Sequence, residues 1–509
     1  MNNPLIIRNI KANYIGQGYA IFIGIAITPL YLQYLGAEAY GLVGFFALMQ
    51  AWLNLLDLGL SPTLGRQVAY ARGQTNGFEF FKKLLKSFEL IFIALALAIA
   101  SGIHLASDWI AQVWIKADTL DLSTLIYCVS LMGVMIGLRW FAGLYRSGIY
   151  GIEDQVWLSA ANIVLISFKF IGALILLEFI TQDVRHFFEY QLVIGMLEVF
   201  LFLWRFYYQL PATENSPGMV AFDWKAVKSV APFSLGIAYT AGIWILITQT
   251  DKLILSGALS LAEFGYFSLV ALVAGGVTSL SGPISQAIMP RMTLLVSQGK
   301  QDEMLSIYRQ ASQIVAVICL SVSVMLGLYA EPLIYALTGD KEAAVWGANV
   351  LIWFALGNGI LALSAFQYYL QNAFGQLRLH VIGSTISAFI QVPIIYFAAT
   401  NYGAEGAGIA WFSFRLVWFL LWTPIVHNRF VPGLHLEWLF KDILPIAVIT
   451  VGLALGSSNL VTLDLTQNRL LLFSQILCLG LLLLTVSAFS VQVIRNHIFK
   501  TLKRLNEKS

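Results

Sequence analysis

Charged side chains within apolar stretches are the feature of this sequence that could do chemistry. Most of its 30 Lys and Arg residues lie in short polar segments, but four lie inside or at the edge of long apolar stretches: Arg139, Arg146, Lys169 and Arg415. A charge in apolar surroundings is costly, and proteins keep it where it binds an ion, a substrate or another charge. These cations could bind an anionic group, and a carboxylate near them could exchange a proton.

The composition indicates where such charges must lie. Of the 509 residues, 59% are hydrophobic and only 11% are charged, which is more apolar surface than a soluble core can hide. The chain is therefore expected to be an all-α integral membrane protein with about 14 transmembrane helices. Their predicted limits are 13–35, 40–62, 84–106, 123–147, 155–177, 188–210, 230–256, 264–289, 308–330, 345–370, 380–399, 406–427, 441–458 and 469–492.

Two parts of the sequence resemble each other at a constant separation of 224 residues. The matching pairs are Leu35/Leu259, Tyr40/Phe264, Gly41/Gly265, Ala47/Ala271 and Leu48/Leu272, and further along the chain Tyr145/Tyr369, Tyr150/Phe374 and Gly151/Gly375. With slips of one and two residues, Arg66 and Gly73 align with Arg291 and Gly299. One register at two separate places predicts an internal duplication. Because the offset covers six spans, an even number, both copies should enter the membrane in the same direction.

The duplication predicts two lobes of six helices, related by an axis along the membrane normal and enclosing a central cavity. The N-lobe is expected at 1–212 (helices 1–6), a cytoplasmic linker at 213–228, the C-lobe at 229–430 (helices 7–12), and helices 13 and 14 with a cytoplasmic tail at 431–509. Alternate loops differ strongly in charge, because 23 of the 30 Lys and Arg residues fall on one side and 5 on the other. This asymmetry predicts that both termini are cytoplasmic.

Three segments resemble a known family. They read PLYLQYLGAEAYGL at the end of the first span, LLDLGLSPTLGR at the end of the second, and TDKLILSGALSLAEFGYFSL in the second half. The pattern resembles the oligosaccharide flippases of bacterial polysaccharide biosynthesis, whose superfamily also contains multidrug and toxin extruders and lipid II flippases. The resemblance implies that two lobes expose a central cavity alternately to the cytoplasm and to the outside, and that the cargo is an undecaprenyl-diphosphate-linked oligosaccharide.

The same resemblance implies the setting of the protein. It would be a multi-pass protein of the bacterial plasma (inner) membrane, with the lipid-linked oligosaccharide and membrane lipids as partners and with the polysaccharide polymerase and chain-length machinery as candidate protein partners. No nucleic acid, cofactor or enzymatic activity is expected, and the six histidines show no metal-binding spacing.

A sugar diphosphate head needs cations along its path through about 30 Å of hydrocarbon. The candidates for binding it are Arg139, Arg415, Lys169, Arg146, Arg66 and Arg291. Three of these lie at span ends, where we favour contact with lipid headgroups: Arg66, Arg146 and Arg291. The same interpretation is favoured for Arg205. The fifth and sixth spans form a hairpin that turns near Asp183, so Lys169 could instead form an ion pair with Glu198.

Carboxylates within the spans raise the question of ion coupling. Asp57 and Glu198 could carry a proton or help to bind sodium. Asp57 could equally hold Arg66 or Arg291 in place. Asp251 lies next to Lys252, and a structural pair at the end of a span is the favoured reading for it.

Two other functions share this composition. A membrane glycosyltransferase or polymerase acting on lipid-linked sugars would need a sizeable outer loop with catalytic acids, and the segment at 107–121 offers only Asp108, Asp118 and Asp121. A multidrug/cation antiporter would share the fold but would favour an acidic or apolar cavity, whereas the deep charges here are mainly basic. The sequence therefore favours a flippase.

Overall fold

The computed structural model describes residues 4–72, 77–210, 222–461 and 463–489, and every regular element in these ranges is helical. The α-helices are α1 (Pro4–Leu35), α2 (Ala37–Leu53), α3 (Leu60–Arg72), α4 (Gly77–Trp109), α5 (Leu122–Gly151), α6 (Gln155–Ser167), α7 (Ala173–Phe179), α8 (Val184–Gln209), α9 (Trp224–Ala258), α10 (Leu261–Ser297), α11 (Gln301–Leu328), α12 (Ala330–Thr338), α13 (Lys341–Ala373), α14 (Arg378–Phe430), α15 (Leu434–Trp438), α16 (Leu444–Leu460) and α17 (Arg469–Phe489). A 3-10 turn covers Asn54–Asp57, and π-helical turns cover Ile110–Trp114, Phe168–Gly172 and Leu439–Ile443.

The helices account for the predicted spans. Within the described ranges, 13 helical segments are long and apolar enough to cross a membrane. One of them, α14, has 53 residues and would be far too long for one crossing. Gly403 interrupts it with φ 63° and ψ −152°, a conformation that glycine adopts without a Cβ clash, so α14 is two helices that correspond to the predicted spans 380–399 and 406–427. The expectation of an all-α membrane protein with about 14 spanning helices is confirmed.

The helices group into two compact units, residues 1–265 and 266–509. In the first unit, α5 packs against α4 and α8. In the second, α13 packs against α11 and α14. The predicted duplication matches α4 with α11, α5 with α13 and α8 with the second part of α14, so matching helices pack against each other in both units. The helix α9, expected in the second lobe, packs against α2, α3 and α4 of the first unit, while α16 and α17 pack against α11. Residues 213–221 of the predicted linker lie outside the described residues, and from Trp224 onward that segment is helical.

The predicted span 40–62 ends differently from the expectation. The helix α2 stops at Leu53, a 3-10 turn follows, and Leu58 and Gly59 have φ values of 50° and 69° before α3 begins. Gly59 lies directly against the backbone carbonyl of Ser234 on α9, where a Cβ would overlap the oxygen. The break is therefore fixed by a close backbone approach, and Arg66 lies on α3 and not at the end of a continuous spanning helix.

The first turn of α10 lies against the first turn of α2, and both belong to the first unit. A Cβ on Gly41 would overlap the carbonyl oxygen of Leu261, and a Cβ on Gly265 would overlap that of Ala37. Each glycine thus touches the carbonyl of the residue four positions before the other glycine. Because 224 residues separate both Ala37 from Leu261 and Gly41 from Gly265, the contact joins equivalent positions of the predicted repeat.

Candidate functional site

Three of the candidate residues come together around one carboxylate in the first unit. Glu198, on α8, accepts a hydrogen bond at Oε1 from Nη2 of Arg146 (2.7 Å) and at Oε2 from Nζ of Lys169 (2.8 Å). The side chain of Glu198 is 6% exposed, that of Lys169 17% and that of Arg146 46%. The ion pair inferred from the hairpin is therefore present, and Arg146, for which headgroup contact was favoured, also bonds to this carboxylate.

Arg139 extends the group along α5. It precedes Arg146 by seven residues, two helical turns, so the two side chains share a face of the helix. Its guanidinium donates a hydrogen bond to Oε1 of Gln50 on α2 and lies 5.0 Å from the ring centroid of Phe46. It also interacts electrostatically with Glu198 and Arg146. We call Arg139, Arg146, Lys169 and Glu198 the basic cluster.

The charges of the basic cluster do not cancel. Two cations bind Glu198 and a third, Arg139, interacts with it electrostatically, which leaves a formal excess of two positive charges within helices of membrane-spanning length. Neutral groups stabilise the two arginines without cancelling their charge. Gln50 accepts a hydrogen bond from Arg139, the ring of Phe46 lies beside Arg139, and the ring of Phe202 lies beside Arg146. An excess of this sign and size matches a dianionic ligand such as a diphosphate.

An ion pair joins the N-terminal ends of α5 and α8, two of the helices that carry the basic cluster. Asp121 caps α5 by accepting from the backbone N of Thr124 (3.0 Å), and it pairs with Nη2 of Arg185 on α8 (3.1 Å). The hydrogen bonds from Ser123 and Thr124, with a smaller contribution from Arg185, lower the pKa of this exposed carboxyl well below its usual range. Asp121 therefore stays ionised at neutral pH and helps to keep α5 and α8 in register.

Lys169 lies on the π-helical turn Phe168–Gly172 in the middle of its span. A π-turn inserts an extra residue and leaves backbone carbonyls without helical partners, which is costly in hydrocarbon. Tyr31 on α1 and two residues of α8, Tyr190 and Gln191, donate hydrogen bonds to the carbonyls of this turn. The turn thus places Lys169 on the side of the helix that faces Glu198.

Arg415 belongs to the second unit. It lies on α14, it is 6% exposed, and its guanidinium is 4.3 Å from the ring centroid of Trp411. A guanidinium over an indole face is a favourable cation–π arrangement. The structure therefore places the two deepest arginines of the prediction, Arg139 and Arg415, in different units and on different partners.

The two remaining candidate cations, Arg66 and Arg291, are exposed. Arg66 is exposed on α3, and its guanidinium lies 4.5 Å from the ring centroid of Phe233. Arg291 is exposed on α10. Arg205, for which headgroup contact was favoured, instead binds Asp154 through Nε (3.0 Å) and Nη2 (2.5 Å) and lies over Trp157.

The candidate coupling carboxylates differ in their surroundings. Asp57 accepts from the hydroxyl of Ser61 (2.6 Å) and more weakly from its backbone N, so it stabilises the first turn of α3. This contact is one that the sequence reasoning did not consider, since it paired Asp57 with Arg66 or Arg291. Glu198, by contrast, is held by two cations. Over the described ranges, no group of three or more His, Cys, Asp or Glu side chains could hold a metal ion.

The sequence profile of the polysaccharide biosynthesis proteins matches residues 34–345, more than half of the chain and a range that contains the whole basic cluster. The chain belongs to this polysaccharide biosynthesis protein family. A comparison with curated proteins gave no match.

Solved structures show which fold this family member has. It resembles the lipid II flippase MurJ in an inward closed conformation, with a TM-score of 0.71, 14% identity, and coverage of 97% of this chain and 100% of that one. It also resembles a multidrug resistance MATE family transporter of the MOP superfamily in an inward-facing conformation (TM-score 0.63, 14% identity, 84% and 98% coverage). A third match is a MOP superfamily transporter from Pyrococcus furiosus (0.52, 15%, 83% and 96%). The polysaccharide biosynthesis protein therefore has the MurJ/MATE-like membrane fold.

Some residues of the site were missed by sequence reasoning. Gln50, Tyr31 and Gln191 are polar side chains within apolar spans, and each hydrogen bonds to the basic cluster or to the turn that carries Lys169. Their position in apolar sequence was a usable signal, because a polar group at membrane depth needs a partner. Glu38 lies in the first of the segments that carry the family resemblance, and its carboxylate accepts from the backbone N atoms of Asp118, Thr119 and Leu120.

Proposed function

We propose that this protein is a flippase that moves an undecaprenyl-diphosphate-linked oligosaccharide from the cytoplasmic to the outer leaflet of the bacterial plasma membrane by alternating access. It would act as a transporter and not as an enzyme, with both termini in the cytoplasm. The proposal unites the family membership, the MurJ/MATE-like fold and a group of side chains suited to a diphosphate.

The excess positive charge of the basic cluster is the observation that carries the proposal. A diphosphate crossing hydrocarbon must exchange its water shell for cationic donors. Arg139 and Arg146 offer planar guanidinium groups that can each donate two hydrogen bonds to phosphate oxygens, and Lys169 offers a compact ammonium. Together these three donors can replace much of the hydration of the head.

The transported charge also gives the direction of export. An inside-negative membrane potential favours outward movement of an anion by about 2.3 kcal/mol per charge for each 100 mV. A dianionic head would experience twice this force. Of the two candidate coupling residues, Glu198 is the better placed, because a proton on its carboxyl would weaken its hold on Arg146 and Lys169 and free them for the cargo.

Removing the deep cations tests the proposal in cells. Arg139→Ala and Arg415→Ala should each abolish surface polysaccharide in a strain that depends on this protein, while the amount of protein in the membrane stays normal. Arg205→Ala is the matched control, because that arginine binds a carboxylate, Asp154, outside the basic cluster. Normal export by both test variants would remove these arginines from the transport path.

A drug/cation antiporter is the second candidate, because a MATE transporter shares the fold. The basic cluster argues against it, since an excess of positive charge repels cationic drugs. Expression in a drug-sensitive strain should leave resistance to ethidium and rhodamine 6G unchanged, and a gain of resistance would favour the antiporter.

A glycosyltransferase or polymerase is tested separately. The purified, reconstituted protein should form no glycosidic bond, and sugar transfer by it would support the enzyme instead.

A further inference from the structure

The π-helical turn at Phe168–Gly172 is held from two other helices. The hydroxyl of Tyr31 on α1 donates to the carbonyl of Phe170 (2.8 Å) and, at 3.4 Å, to that of Lys169. From α8, the hydroxyl of Tyr190 donates to the carbonyl of Phe168 (2.7 Å), and Nε2 of Gln191 donates to the carbonyl of Lys169 (2.9 Å). Three consecutive carbonyls of the turn thus accept hydrogen bonds from side chains.

The helix α8 binds both ends of Lys169. Gln191 holds its backbone carbonyl, and Glu198, seven residues later, holds its ammonium at 2.8 Å. Residues seven apart lie on one face of a helix and are separated by roughly 10 Å along the axis, close to the reach of an extended lysine from carbonyl to Nζ. Lys169 therefore lies stretched along α8 between an amide and a carboxylate.

Gly172 makes room for this arrangement. A Cβ at this position would overlap the hydroxyl oxygen of Tyr190, which is the group that donates to Phe168. Position 172, the last residue of the turn, therefore has to be glycine for the hydroxyl of Tyr190 to reach the carbonyl of Phe168. Any side chain at this position would push the ring of Tyr190 away from the turn.

We propose that Tyr31, Tyr190 and Gln191 are positioning residues of the anion site: by holding the π-turn, they point the ammonium of Lys169 at the place where the diphosphate head binds. The inference rests on the proposed function for the identity of that anion. A regular α-helix through the same residues would rotate Lys169 by about 100° relative to the helix that follows and withdraw its ammonium from Glu198. The three donors therefore select the cation-presenting form of this segment.

The reactivity of single lysines tests the positioning directly. The full-length purified protein is pulsed with acetic anhydride, and modification of each lysine is measured by mass spectrometry. In Tyr31→Phe/Gln191→Leu, which removes donors with little change of shape, modification of Lys169 should rise about tenfold as its ammonium loses its fixed place. Lys86, paired with Glu89 at 2.7 Å on the regular helix α4, serves as the reference within the same molecule and should not change.

A binding cycle separates positioning from a merely structural role. Inorganic pyrophosphate binding is measured by calorimetry for the wild type, for Tyr31→Phe/Gln191→Leu, for Lys169→Met and for the triple variant. Removing the donors should weaken pyrophosphate binding about tenfold when Lys169 is present and should have no further effect when it is absent. Tyr127→Phe, which removes a hydrogen bond to Glu189 outside the basic cluster, is the control and should bind normally.

The outcomes distinguish the two proposals. Unchanged modification of Lys169 in the donor variant, or equal losses of affinity with and without Lys169, would overturn the positioning role. A wild-type protein that does not bind pyrophosphate, while Lys169 still responds to loss of the donors, would leave the positioning intact and count against the diphosphate site. If the double variant does not fold, Tyr190→Phe removes a single donor and is measured in the same two ways.

Discussion

The fourth span of each predicted repeat copy gives the sharpest contrast in the molecule. In α5 it carries Arg139 and Arg146, whereas at the equivalent positions, 224 residues later in α13, it carries Leu363 and Leu370. Both leucines are buried, at 3% and 0% exposure, and each helix packs between two others in its own unit. The same place in the fold is thus filled by leucine in one copy, which indicates that the arginines serve a purpose other than packing.

The contrast extends to the other members of the basic cluster. With the same offset, Lys169 falls on Pro393 and Glu198 on Trp422, while Gln191 falls on Arg415. In this alignment the deep cation of the second copy, Arg415, falls on Gln191 of the first. Arg415 stacks on Trp411, whereas Lys169 of the first copy binds a carboxylate. The predicted copies therefore differ in the charged residues that their corresponding spans carry.

The largest effect is expected from giving the first copy the residues of the second. In Arg139→Leu/Arg146→Leu, surface polysaccharide should fall at least about 100-fold, because two charged donors are lost. The amount of folded protein should stay near normal, since leucine fits both equivalent positions. Flow cytometry for surface polysaccharide and an immunoblot of membranes measure the two quantities. Loss of the protein itself would show that the arginines are needed for folding, and the contrast would fail.

The reverse substitution probes stability. Leu370 is completely buried, so Leu370→Arg places a cation in an apolar interior and should destabilise the second unit by about 3 kcal/mol. A lower midpoint of thermal unfolding in detergent, measured by size-exclusion chromatography with fluorescence detection, would show this. Leu471→Arg, at a half-exposed apolar position of α17, is the comparison and should unfold closer to the wild-type temperature.

Exchanging the partners of the ion pair should have an intermediate effect. Lys169→Glu and Glu198→Lys should each reduce export, and the double exchange should recover about tenfold over either single change because opposite charges again face each other. Recovery should be incomplete, since a lysine at position 198 would lie beside Arg146. Export assays on the four strains measure this, and a double exchange no better than the singles would assign the two residues separate roles.

The smallest effect is expected in the second copy. The cation–π contact of a desolvated arginine such as Arg415 is worth about 2 kcal/mol. Arg415→Lys keeps the charge and part of this attraction but loses the planar stacking on Trp411, so export should fall only a few-fold. The loss should be far smaller than that of Arg415→Ala when export rates are compared at equal protein level. Equal losses in the two variants would mean that the guanidinium geometry, and not its charge, is what matters.

The fold was largely predictable from the sequence, because apolar length and charged breaks determine which segments can cross a membrane. The break between α2 and α3 was missed because it depends on Gly59 meeting the backbone of α9, a long-range contact. The pairing of Lys169 with Glu198 followed from a hairpin, whose geometry is local. The second partner of Glu198, Arg146, and the π-turn donor Tyr31 come from helices outside this hairpin, and helical periodicity alone does not bring them together. The donors Tyr190 and Gln191 lie on α8 within the hairpin, and they were missed because the π-turn itself was not predicted. The transport roles of these residues stay predictions.

The contact between Gly41 and Gly265 bears on how such a chain could have arisen. Each glycine meets the carbonyl four residues before the other, so the contact has an approximate two-fold symmetry. A contact of that form is isologous and can be made by two identical subunits about a two-fold axis. The predicted duplication would therefore place at this helix end a contact through which two half-length copies could pair.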